Sequence, residues 1–474
     1  MGLRDIVLAA ILLVVLPQVL KRPHWGIYLS GWLGFMNPHR LCYGFMMGFP
    51  VVMVAALTTM AGMLLSKEKK QFIWGREVIV LILFLLWMGV TTTQAFYPDL
   101  AWEQYVKVLK IQILTFMTLM LLTSKERVHI YVWIIALSLG FYGVKGGIFT
   151  ILHGGVYRVQ GPLGTFIGGN NELALALAMT LPLMRYLHLQ ETRQWVKTGL
   201  MAAMLLTALA AIGSQSRGAL VALAITVGIF WLKSRGKFLM AILIAAAVGL
   251  VVAIMPQSWY ERIQTIQTYE EDGSAMGRIY AWKMAWNLAN DRITGGGFET
   301  FQWDVFKRYA DDFQGSHDAH SIYFEVLGEH GFVGLFLFLA LLGLTWLKCG
   351  RIIRLGKRNP DLYWARDLAA MIQVSFVAYM AGGAFLGLAY FDLTYSLIVL
   401  AVITAHLIER QVTQTAPIPL TGLERRLIPP AWLVAPQPAS RAYSNQAQAI
   451  KDSAPTVGSS GAVSHAREAV NSPR

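Results

Sequence analysis

The chain reads as an all-α polytopic membrane protein, and three observations predict it. Of its 474 residues 55% are hydrophobic and 14% charged, against roughly 25% charged in soluble domains. The mean hydropathy is +0.50. The apolar residues also come in runs of membrane-crossing length, separated by short hydrophilic gaps. A spanning helix needs about 20 mostly apolar residues. Twelve stretches qualify, near 4–20, 41–65, 77–95, 104–122, 129–152, 166–188, 197–213, 218–233, 237–255, 320–348, 367–388 and 391–408.

The first stretch, MGLRDIVLAAILLVVLPQVLKR, has the charge and apolar run of a signal peptide. It lacks a small-residue cleavage site and leads into further spans, so it is expected to stay as an anchor. Trp25–Met36 is apolar but short, and is expected to lie at the interface or to re-enter. As a true span it would raise the count to thirteen and move the N-terminus across the membrane. Basic residues orient the rest. Lys67, Lys69, Lys70 and Arg76 fill one gap, Lys125 and Arg127 the next, then Arg193 and Lys197. Lys233, Arg235 and Lys237 follow, and Arg351, Arg354, Lys357 and Arg358 complete the series. Such gaps stay cytoplasmic, which sends 96–103, 153–165, 214–217, 256–319 and 389–390 outward and leaves both termini inside. A net charge of +13 laid out this way gives no continuous basic face for nucleic acid. Cys42 and Cys349 are too few for a disulfide scaffold or a zinc ribbon.

The 256–319 segment is the one long piece between spans. Met276, Ile279, Trp282, Trp286 and Ala289 recur in it at helical spacing, with Ser274 as an N-cap. Gly295–Gly297 break the chain before a second short amphipathic stretch, 298–309. Residues 1–410 form the membrane domain. The tail, 411–474, is rich in Pro, Ala, Ser, Gln and Thr and is expected to be disordered over 434–474.

Three outward loops concentrate polar chemistry. GSQSRGAL (213–220) is a tight turn ending in Arg217. Its fork suits phosphate oxygens, though an arginine there also snorkels to headgroups. In SAMGRIYAW, Arg278 sits in the first turns of a helix, where a cation opposes the macrodipole. A bound phosphate would relieve it, and so would Glu270, Glu271 or Asp272. Third, FQGSHDAHSIYFEVLGEHGFVG (313–334) carries His317, Asp318 and His320 straight into an apolar run. Such groups are costly at a membrane and mark chemistry or a path. A histidine there accepts a proton from a hydroxyl nucleophile, binds a metal with two further ligands, or caps the helix; no third ligand motif is evident. Arg158 adds positive charge to the same face, and Asp392 in YFDL suits either a cap or a partner for a histidine or arginine. Asn170, Asn171 and Glu172 in GGNNELALAL read as capping and packing, and Lys107 and Lys110 as snorkelling.

The series SQSRGAL, SAMGRIYAWKMAWNL, GGGF and AHSIYFEVLGEHGFVG resembles the O-antigen ligase superfamily, which includes O-antigen polymerases and bacterial protein O-oligosaccharyltransferases. MNPHRL and GGNNELALAL are most similar to its O-glycosylation ligase branch, associated with the exosortase A system. The resemblance covers 1–410. It implies a GT-C-like, metal-independent, inverting glycosyltransferase of the bacterial inner membrane, with no cofactor and a periplasmic active site. The implied donor is a glycan on undecaprenyl pyrophosphate; the implied acceptor is a lipid A core sugar, a protein Ser or Thr, or another glycan repeat. By position, Arg217 and Arg278 match the family's phosphate-binding arginines and His320 its helix-opening histidine; His317 and Asp392 match less closely. Two other classes remain: a transporter of the same lipid-linked glycan, which would place ionisable groups near the bilayer midplane, and a docking scaffold, for which His320 would be dispensable.

Overall fold

The computed structural model describes residues 2–68, 70–233 and 273–415, with a few positions between 236 and 257. The expected span 237–255 falls largely outside these, as do Glu270, Glu271, Asp272 and the tail beyond 415. Among the described residues every regular element is helical: the protein is an all-α polytopic membrane protein. The first six helices are α1 (Leu3–Lys21), α2 (His24–Met36), α3 (Val51–Leu65), α4 (Arg76–Thr93), α5 (Pro98–Leu121) and α6 (Lys125–Leu152). Next come α7 (Asn170–Gln190), α8 (Gln194–Gly213), α9 (Arg217–Lys233), α10 (Gly273–Asp291) and α11 (Trp303–Tyr309). The last are α12 (Ile322–Gly356), α13 (Tyr363–Gly383) and α14 (Asp392–Thr415). Seven described helices are long and apolar enough to cross a bilayer, while α3 and α9 are apolar but shorter.

Ion pairs and hydrogen bonds define two ends of the bundle. At one, Glu68 receives His24 at 2.9 Å and Arg127 at 2.5 Å. Glu77 receives Lys348 at 2.8 Å, and Glu409 receives Arg351 at 3.3 Å. This is the end of the basic gaps. At the other, the Tyr142 hydroxyl donates to the Met36 carbonyl, Arg4 donates to the Leu41 carbonyl at 2.8 Å, and the Met46 amide donates to Asp5 at 3.0 Å. Helix α2 therefore runs from the basic end at His24 to the loop end at Met36, antiparallel to α1 and α3. The segment expected at the interface or re-entrant, Trp25–Met36, is a 13-residue helix that is not among those long enough to cross a bilayer, and it packs among its neighbours. Gly26 leaves room for Thr59, and Gly31 for the Tyr131 ring, where a Cβ would sit 1.9 and 2.9 Å away. Small residues let helix backbones approach in this way, and Ile27, Leu33 and Phe35 are buried as a result.

The expected span near 320–348 is not one straight helix. Gly331 adopts φ 65°, ψ −170° inside α12 and interrupts its ladder. A break there removes the i+4 donors of the carbonyls of Gly328, Glu329 and His330, and such groups cannot be left unpaired in a bilayer. Each finds a substitute. Gly296 N donates to Gly328 O at 2.9 Å, Gly297 N to Glu329 O at 2.9 Å, and Trp87 Nε1 to His330 O at 2.8 Å. The Gly295–Gly297 turn is thus a docking element. A Cβ on Gly295 would lie 2.6 Å from the Gly328 carbonyl, and one on Gly331 2.2 Å from that of Ile293. The second amphipathic stretch, expected over 298–309, is helical only over Trp303–Tyr309 because this turn occupies its start.

Gly331→Ala is expected to lower the thermal midpoint in detergent, since a left-handed backbone costs an alanine about 1–2 kcal/mol before any clash. Gly199→Ala, inside α8 and with nothing within 4 Å of its Cβ, is the control and should melt at or slightly above the parent, since alanine is the better helix former. Tryptophan fluorescence on heating reads both.

Candidate functional site

The turn before α9 is built by its serines. Ser214 and Ser216 are buried. Ser216 Oγ accepts from Ala219 N at 3.3 Å, capping the helix, and Ser214 Oγ accepts from Ser216 N at 3.2 Å. Gln215 takes φ 58° and donates its amide to Gly155 O at 3.0 Å, while Val159 N donates to Gly213 O at 3.2 Å. Asn170 donates to Ser214 O at 2.9 Å, so this asparagine ties α7 to the turn, while the N-cap position of α7 is Gly169, without a side-chain cap. Arg217 is half-buried as the first residue of α9. The exposed amides and dipole of a helix start favour an anion beside it. Gly218 lies in van der Waals reach of Phe385 and of the Gly382 carbonyl, so α9 opens against the end of α13.

Helix α10 begins at Gly273, one residue before the expected Ser274 cap. Its buried face is Gly277, Ala281, Met284, Ala285 and Leu288, packed in part on Val305 and Phe306 of α11. Of the expected stripe Ala289 is buried and Ile279 and Trp282 are half-buried, while Met276 and Trp286 are exposed. Small residues, invisible to a pattern built on bulky ones, bring this helix close to its neighbours. Trp282 fastens α10 to the histidine loop: Nε1 donates to Ala319 O at 2.8 Å, and the ring stacks on Phe324 with centroids 4.9 Å apart and 7° between planes. Phe385 lies 6.4 Å from the same ring. His317 seats against Gly277, its Nδ1 2.8 Å from where a Cβ would be, and meets the edge of Tyr280 at 5.8 Å. Arg278, half-buried, thus stands between the two residues that hold His317.

His320 has φ 42°, a sparsely populated region for a non-glycine residue and one that clusters at functional sites. Its Nδ1 is 3.6 Å from Asp318 Oδ2, beyond hydrogen-bond range. The ring is 40% exposed. One turn into α12, Glu325 Oε2 accepts from Ala389 N at 3.2 Å, and both Glu325 and Asp318 face Gly387. Three segments distant in sequence therefore converge at the loop end: the start of α9, the start of α10 and the mouth of α12, with residues 385–389 between them.

Residues 202–339 match the family model described as O-Antigen ligase. This match over residues 202–339 supports the O-antigen ligase superfamily. Its members are membrane glycosyltransferases of ligase or polymerase type. Residues 3–192 match a second model, described as a family of unknown function (DUF5935). No curated protein matches the chain. The O-antigen ligase region runs from α8 past the break in α12, so Arg217, Arg278, His317 and His320 all fall within it.

Arg158 and Asp392 fall outside that region. Arg158 is exposed, next to Val159, whose amide binds Gly213. Asp392 opens α14 and lines a cavity with Lys107 rather than adjoining His320 in any described contact. Lys107 places its ammonium 4.4 Å from the Phe166 ring centroid. The sequence reading missed a buried polar knot within the same ligase motif. The Tyr390 hydroxyl donates to Glu329 Oε2 at 2.5 Å, and Thr91 Oγ1 pairs with His330 Nδ1 at 2.7 Å. Burial, then the nearby Glu329 and Glu325 carboxylates, push the Tyr390 phenol well above its ordinary pKa, so it stays a donor. GEHG inside an apolar run was the available signal, by the same cost argument that singled out His320.

Trp282→Ala removes an aromatic stack and a hydrogen bond, together about 2 kcal/mol. Amide exchange across 277–290 should accelerate by roughly 30-fold, with exchange in α7 unchanged.

Proposed function

We propose that this ligase-type membrane protein transfers a glycan from undecaprenyl pyrophosphate to an acceptor hydroxyl at the periplasmic face, with inversion and without a metal. The observation that carries the reading is the convergence of Arg217, Arg278 and His320 at one end of the bundle, inside the region that matches O-antigen ligase. The acceptor oxygen attacks the anomeric carbon from the face opposite the pyrophosphate. The bond from that carbon to the phosphate oxygen breaks, and undecaprenyl pyrophosphate leaves with its electron pair. His320 takes the hydroxyl proton, and Asp318 at 3.6 Å stabilises the resulting imidazolium. Arg217, at a helix start that itself favours anions, and Arg278 answer the charge growing on the leaving group. His317, seated on Gly277, positions the Arg278 helix, and Arg158 draws the anionic donor toward this face. A lipid A core sugar or a protein Ser or Thr is the acceptor in this reading.

A polymerase of the same superfamily would use these groups identically, with a second lipid-linked glycan as acceptor. A transporter fits less well, because the convergent groups crowd one end.

Removing one electrostatic donor of this kind typically costs about 10²–10³ in rate. Arg217→Ala and Arg278→Ala should each show that loss in a purified transfer assay with labelled undecaprenyl-pyrophosphate glycan, while still inserting and folding. His320→Ala should do the same; near-parental transfer by that variant would assign the base elsewhere. Supplying core sugar, peptide and glycan acceptors in turn identifies the acceptor class.

A further inference from the structure

A second recess at the loop end is not used by this chemistry. It is a cavity of about 140 Å³ between the end of α2, α5, the 164–167 loop and the start of α14. That is far larger than one water and below the roughly 300–1,000 Å³ of sites for drug-sized ligands, the scale of one sugar ring. Its polar lining is Asn37, Lys107, Thr165 and Asp392. Phe35, Phe166 and Phe391 supply the apolar lining. Exposed Lys107 and Gly164 form its mouth.

We propose that this cavity is a saccharide subsite that holds one pyranose of the glycan being transferred or accepted. The proposal deepens the glycosyltransferase reading and rests on it for which glycan that is. The charge pattern selects the ligand class. At the mouth Lys107 and Arg40, whose guanidinium carbon is 3.6 Å from where a Cβ on Gly164 would be, repel a cation, and Asp392 in the lining repels an anion such as a lipid phosphate. A polyol satisfies both, donating hydroxyls to the carboxylate and accepting from the ammonium, while its C–H faces lie on the phenylalanines. Gly34 keeps the space open: a Cβ there would sit 3.5 Å from Asp392 Oδ2. Asn37 is held in a left-handed conformation (φ 49°), with its amide donating to Gly34 O at 2.6 Å. The cavity is also continuous with the candidate site along the chain on both sides. Phe391 and Asp392 follow Ala389 and Tyr390, which bind Glu325 and Glu329. The 164–167 loop leads into Asn170, which binds the turn before Arg217.

The test has two arms on the full-length protein in lipid nanodiscs. In the first, saturation-transfer difference NMR is run with methyl glycosides of glucose, galactose and N-acetylglucosamine. The parent should give a signal with at least one, and both Gly34→Leu, which fills the cavity, and Lys107→Met, which removes the cation at similar length, should lose it. No signal in the parent, or undiminished signal in a folded variant, overturns the subsite. The second arm measures transfer kinetics: the variants should raise KM for one glycan substrate by about tenfold or more with kcat little changed, the pattern of lost uniform binding. A fall in kcat alone overturns it. A parent protein that binds the glycoside yet transfers nothing overturns the transferase reading and leaves the subsite standing.

Discussion

The architecture of the loop end depends on one backbone constraint: a helix broken within the membrane domain must have its orphaned carbonyls answered by other parts of the chain. In α12 the break at Gly331 exposes the carbonyls of Gly328, Glu329 and His330, and two glycine amides and one indole answer them. The donors come from two different places, the 295–297 turn and α4. This single set of hydrogen bonds therefore locks the segment after α10 onto the wall of the bundle. Together with Trp282, which binds Ala319 beside His320, it fixes α10 and its Arg278 relative to the mouth of α12.

The same break explains why a carboxylate, an imidazole and a phenol coexist in a buried place. Glu329 accepts from both the Tyr390 hydroxyl and the Glu299 amide, the latter at 3.0 Å. Phe298, immediately after the glycine turn, stacks edge-on against His330 at 4.6 Å. The polar groups are thus satisfied largely by the elements that satisfy the broken backbone. His330 Nε2, buried and 4.0 Å from Glu329 Oε2, is the member left without a hydrogen bond among the described residues.

Much of this was legible from residue order, and the failures have identifiable causes. Hydropathy gave the all-α membrane class, and the cost of ionisable groups near apolar runs led to Arg217, Arg278 and His320, which the fold gathers at one end. The apolar stripe of α10 was only partly placed: Ala289 is buried as expected, but the face also takes in Gly277, Ala281, Met284, Ala285 and Leu288, and Met276 and Trp286 are exposed. The glycines of Trp25–Met36 permit its burial among other helices, and their role is visible only once the partners Thr59 and Tyr131 are known. Glu329 and His330 were passed over although the rule applied to His320 covers them equally. Asp392 in YFDL suits a cap or a partner for a histidine or an arginine; it opens α14 and lines the cavity with Lys107.

Helix α2 carries one more implication, for biogenesis. Thirteen residues extend about 20 Å, against a hydrocarbon thickness near 30 Å. A rod that short leaves its ends inside the bilayer unless other protein surrounds them. Its shelter at one end is Glu68 together with Arg127, and at the other Tyr142, both arginine and tyrosine belonging to a helix synthesised roughly a hundred positions later. The chain must accordingly hold this piece in reserve at the translocon or the lipid boundary until α6 arrives, so the N-terminal third matures as a group rather than helix by helix.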